Sequence, residues 1–154
     1  MAEHDTTPVP RRVKVEGDLF HGVVPAGAVY VGRSAPGLTQ SRYRNRHRVG
    51  KPCRECHGDT HTLLEALALY ERDLYEDVVL LEWASTELAG RDLACWCSLP
   101  APGEPDLCHA AITLRVVNEA PRPLAAYPPG PKPYGTPARG FAPLIDVHPI
   151  GVLL

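Results

Sequence analysis

Two stretches of this sequence concentrate the residue types that bind metals or act as nucleophiles. The first is Cys95-Trp96-Cys97, followed after ten residues by Cys108-His109. In a strand, residues two apart share a face, so Cys95 and Cys97 project together while Trp96 turns the other way. The intervening loop returns Cys108 and His109 to the start of a helix. Two thiolates from a strand, one from a helix start and an imidazole would make a tetrahedral zinc set. The same residues suit redox or nucleophilic chemistry at Cys108, because a helix N-terminus lowers a thiol pKa and a protonated His109 adds to that. Cys108 and His109 then form the catalytic pair. The third reading is packing alone, with three small buried thiols and a hydrogen-bonded histidine. Adjacent helical residues are turned about 100° apart, which makes joint ligation by Cys108 and His109 awkward.

The second stretch is CRECHGDTH, with Cys53, Cys56, His57 and His61. Cys-x-x-Cys is a chelating turn and His61 is within reach, so zinc is the expected cofactor. The alternative is a polar insertion with incidental cysteines. Just before it runs a basic segment with Arg42, Arg44, Arg46, Arg48, Lys51 and Arg54 and no acid until Glu55. Arginine forks match phosphate oxygens, and Tyr43 could stack on a base. Gly32, Arg33, Ser41, Arg42, Tyr43 and Asn45 are the candidate ligand contacts, against the alternative of a solvated basic loop. The lone glycine of VGRS is no dinucleotide fingerprint.

Certain elements must position these residues. Arg12 to Glu16 alternates as a short strand, and Ala28 to Arg33 is a β-branched and aromatic strand ending at glycine. Residues 34–59 are an aperiodic loop. Asp59 or Thr60 can cap a helix whose buried stripe is Leu63, Leu67, Tyr70 and Leu74. A second helix starts near Asp77, runs through Leu81 and Leu88, and ends at Gly90 in the left-handed conformation. Asp92 to Cys97 is an apolar strand, and Cys108 to Asn118 a final helix. This order predicts an α/β fold, a small Rossmann-like sheet, parallel or mixed, with packed helices. Ligands of such sheets sit beyond the strands' carboxyl ends, where Gly32-Arg33 and Cys95-Trp96-Cys97 both fall.

Within 154 residues the expected layout is a disordered leader at 1–11, one domain at 12–118 and a Pro-rich tail at 119–154 that suits a protein partner. Net charge is -2, so the chain is no polycation, and any attraction to nucleic acid must be local. No apolar run approaches the roughly 20 residues a membrane span needs, and the N-terminus lacks a signal-peptide core. The cytoplasm is the expected compartment. There, five cysteines, an odd number, argue against a disulfide framework.

VYVGR, a Ser-Arg-Tyr-x-Asn stretch, DLACWC and a helix opening on Cys-His and ending in Asn together resemble the domain-of-unknown-function family numbered 4326, found in bacteria and especially in phages. Gly32, Arg33, Ser41, Tyr43 and Asn45 match its first block. Gly90, Asp92, Leu93, Ala94, Cys95, Trp96 and Cys97 match its second, and Cys108, His109 and Asn118 its last. Arg44, Arg46 and His47 stand where the family has Gly, Pro and Phe. The resemblance covers roughly residues 28–118 and implies a fold and a site, but no reaction. Two functions follow. One is binding of a nucleotide or nucleic-acid phosphate beside a Cys/His cluster, with or without catalysis. The other is a metal-stabilised protein-interaction module.

Overall fold

Strands β1 (Arg12–Lys14), β2 (Val29–Tyr30) and β3 (Leu93–Cys95) form one sheet in the order β1-β3-β2. Both pairings are parallel, with Arg12 and Val29 each opposite Leu93. β3 is the central strand, and all three of its residues are buried, as the apolar run Leu-Ala-Cys requires. The computed structural model describes residues 8–119. The leader expectation for residues 1–7 and the tail expectation from 120 onward lie outside the described residues.

Helix α1 (Leu63–Glu76) starts two residues later than its expected caps. Thr62 is the cap, closing a capping box in which its hydroxyl accepts from the Glu65 amide and the Glu65 carboxylate accepts from the Thr62 amide. Leu67, Tyr70 and Leu74 are buried as their spacing demands, whereas Leu63, on the uncovered first turn, is exposed. α2 (Val78–Glu87) is capped by Asp77, which accepts from the Leu80 amide. Gly90 follows at φ +73°, a conformation that costs other residues a Cβ clash. Its amide donates to Asn118 Oδ1 at 2.8 Å, tying the turn before β3 to the end of α3 (His109–Asn118).

The main core joins Val31, Leu74, Leu88, Leu93 and Ala110, and a smaller cluster joins Cys53 and Cys56 to Leu69 of α1. The strands end level with one another. Val15 donates to the Cys95 carbonyl and Val31 to that of Ala94, both at 3.0 Å, so Gly32 and Cys97 leave the sheet at one edge. Among the described residues no helix is long and apolar enough to cross a membrane. Leu74 is fully buried, and Leu74→Ala should cost about 3 kcal/mol of stability through lost contacts and a residual cavity. Urea unfolding of the full chain checks this.

Candidate metal centres

The long loop between β2 and α1 is stitched by short backbone bridges. Val49 pairs with His61 in parallel and Pro52 with Thr60 in antiparallel, and the Gly50 amide donates to the His61 carbonyl at 2.9 Å. Between them Cys53 starts a 3-10 turn, Arg54–Cys56, that ends on His57 in the left-handed conformation, φ 54°. The Cys53 carbonyl accepts from the Gly58 amide at 2.8 Å. This tight return sets Cys53 and Cys56 side by side, turns His57 outward and brings His61 back over them.

The fourth residue is His47, which the sequence reading did not include. The donor atoms of His47, Cys53, Cys56 and His61 all lie within 4.8 Å of one another, and all four residues are buried. His47 Nδ1 is 3.6 Å from Cys53 Sγ and 3.4 Å from Cys56 Sγ. Donors bonded to zinc at about 2.0–2.3 Å in a tetrahedron stand roughly 3.3–3.8 Å apart, so these spacings fit. His47 Nε2 donates to Asp73 Oδ2 on α1 at 2.7 Å, the carboxylate that orients a ligating imidazole. His61 Nε2 is buried with no hydrogen-bond partner among the described residues, an arrangement that a metal bond would satisfy. Burial raises the Cys53 thiol pKa. The Arg48 amide, His47, Cys56 and the Glu55 amide outweigh this and bring it down to about 6, which favours the ligating thiolate. His57, expected beside these cysteines, is exposed and lies outside the set of donor atoms, in which His47 stands instead.

The second cluster lies at the carboxyl edge of the sheet. Cys95 ends β3, Cys97 follows on the same side, and Cys108 caps α3. Cys95 Sγ and Cys97 Sγ are 3.6 Å apart, and all three thiols lie within 4.8 Å. Cys95 and Cys108 are buried, whereas Cys97 is exposed. The expected nucleophile, Cys108, is thus the covered thiol. Contacts from the Cys108 and Cys95 thiols hold the Cys97 thiol well below its ordinary range, with His109 and Arg12 adding to this. His109 lies beside this triad and outside its set of donor atoms. Its Nε2 donates to the Val31 carbonyl at 2.8 Å, and its ring meets the Tyr70 ring edge-on. Burial lowers its pKa and favours the neutral ring. Arg12, also missed in the sequence, is buried beneath the triad. It donates to Asp106 Oδ2, to the Cys97 carbonyl at 2.8 Å and to the Ser98 carbonyl, so one guanidinium fixes both ends of the loop that carries Cys97 and Cys108.

One family model matches residues 20–119, that of Domain of unknown function (DUF4326). The chain belongs to this family. No match was found among curated proteins or among solved structures. The DUF4326 match takes in the thiol triad, Cys53, Cys56, His61 and His47.

Several residues of the family's first block turn out to hold the loop together. Arg33 donates to the carbonyls of Asn45 and His47, and Ser41 Oγ accepts from the Tyr43 amide. Asn45 donates to the Ala66 carbonyl and accepts from the His47 amide. Tyr43 is buried with its hydroxyl donating to Glu87, so its ring is not presented for stacking on a base. Gly32 is backed by the Tyr30 side chain, whose hydroxyl oxygen a Cβ would meet at 2.5 Å. Arg42 remains exposed, 4.7 Å over the Trp83 ring.

Because Asp73 orients His47, Asp73→Ala should weaken the binding of a metal ion by this set about 10- to 100-fold. Competition against a chromophoric chelator measures this, and the Cys/His donors themselves stay intact.

Proposed function

We propose that this chain is a zinc-stabilised α/β domain that binds a phosphate-bearing ligand, a nucleotide or a nucleic-acid phosphate, in an arginine-lined groove beside His47. One observation carries the reading. Arg42, Arg44 and Arg46 from the basic loop converge with Arg72 of α1 on an open groove of about 340 Å³ that also borders His47 and Asp73. That volume suits a small ligand. Four acids line the groove as well: Asp73 pairs with His47, Glu76 with Arg72 at 3.7 Å and Asp77 with the α2 cap, and Glu55 stands beside them. Arg46 has no partner among the described residues. The planar arginine forks facing an open groove favour oxyanions such as phosphate, which can accept from two guanidinium nitrogens at once. Zinc, when bound, supplies cross-linking of the loop rather than chemistry on the ligand, and the loop then presents its arginines in one geometry.

A second reading, a metal-stabilised interaction module without catalysis, is favoured by exposed Val78, Val79 and Trp83 on α2. Binding assays separate the two. Nucleotides and short oligonucleotides should bind the zinc-loaded chain with an affinity that falls as salt rises. Arg46→Ala should weaken that binding about tenfold, the effect of losing about 1.5 kcal/mol of charged hydrogen bonding, and should leave the melting temperature unchanged. If no phosphate-bearing compound binds, or Arg46→Ala and Arg44→Ala bind as well as the parent chain, the groove is not a phosphate site and the interaction reading stands.

A further inference from the structure

The two clusters differ in how they are closed. The His47 set offers four donors, all buried, and is complete by itself. The Cys95/Cys97/Cys108 set offers three donors, and one of them, Cys97, faces solvent. A zinc held by four protein ligands is structural, and one held by three keeps a position for an outside ligand. We infer that the thiol triad is a second, separate metal site. It takes zinc or another thiophilic ion through three thiolates and leaves its fourth coordination position open on the Cys97 side.

Several features support this beyond the proximity of the thiols. The 3.6 Å between Cys95 Sγ and Cys97 Sγ matches a tetrahedral edge of about 3.8 Å for sulfur donors on zinc. His109, the residue that would close the set, is held away by its bond to the Val31 carbonyl. Its Nδ1 stays 3.9 Å from Cys108 Sγ, close enough to polarise that sulfur but outside the donor set. Cys108 stands at the N-cap position of the ten-residue helix α3, so the helix start holds its sulfur against the end of β3. The buried Arg12 fixes the Cys97 and Ser98 carbonyls and Asp106, so the loop carrying two of the three donors is set before a metal arrives. Water, or the thiolate or imidazole of a small molecule, has the donor chemistry this position accepts.

The test uses the full chain, reduced and stripped of metal, titrated with Co²⁺ or Zn²⁺ under anaerobic conditions. Two equivalents should bind. Cys97→Ser should remove one of them and leave the helical circular-dichroism spectrum intact, and His47→Ala should remove the other. Cys95→Ser serves as an independent variant should Cys97→Ser fold poorly. Added imidazole should shift the visible Co²⁺ spectrum of His47→Ala, which retains the triad, and leave that of Cys97→Ser unchanged. A parent chain that binds one equivalent, or a Cys97→Ser and Cys95→Ser pair that each still bind two, overturns the second site. An imidazole-insensitive spectrum in His47→Ala overturns the open position. None of these outcomes bears on phosphate binding at the arginine groove.

Discussion

His47 faces two thiols through Nδ1 and the Asp73 carboxylate through Nε2, and the path of the whole basic loop follows from that double contact. The loop from Arg33 to Asp59 has little regular structure and would cost much entropy to order. It is held at His47, at Tyr43 under the Tyr70 hydroxyl, and at Arg33 through two carbonyls. The first two ties run from the loop to α1, and the third closes the loop on itself. The arginines between the ties, Arg42, Arg44 and Arg46, alternate with the anchoring residues and line the groove that the loop forms with α1.

At the thiol cluster Arg12 does for its loop what His47 does for the basic loop. A buried guanidinium is costly unless its donors are satisfied. Here three are, and all three partners lie in the segment between β3 and α3. A sheet of three short strands buries few residues, and these two polar nodes extend order into loops that it cannot reach by hydrophobic contact.

The nodes are also where the two clusters sit, and their different closure follows from the backbone. A tight turn with a left-handed residue can bring both ends of one short segment back on themselves, which gives the four-donor, enclosed set around Cys53 and Cys56. A strand end and a helix start meet along one edge only, which gives the three-donor set and leaves its outer side to solvent. Both arrangements lie at the margins of the sheet, where backbone conformation is free to follow the side-chain chemistry.

The sequence by itself determined the α/β class, the order of elements and the meeting of Cys95, Cys97 and Cys108, because these rest on local rules. Period two put the first two thiols on one face, and a ten-residue loop could only return Cys108 nearby. It also marked Asp77 and Gly90 as helix boundaries through their own backbone preferences. Tertiary structure decided the rest. His47 became a partner of Cys53 and Cys56 through a parallel bridge between Val49 and His61, and through a carboxylate 26 residues away on α1. His57 was lost to the set because the turn took a left-handed residue at its own position. Tyr43 and Asn45, polar residues in an Arg-rich run, went inward to bond Glu87 and the Ala66 carbonyl, partners that lie far along the chain. A periodic pattern records which face of an element is covered. It holds no record of where an aperiodic loop crosses another element, and that crossing chose the fourth donor.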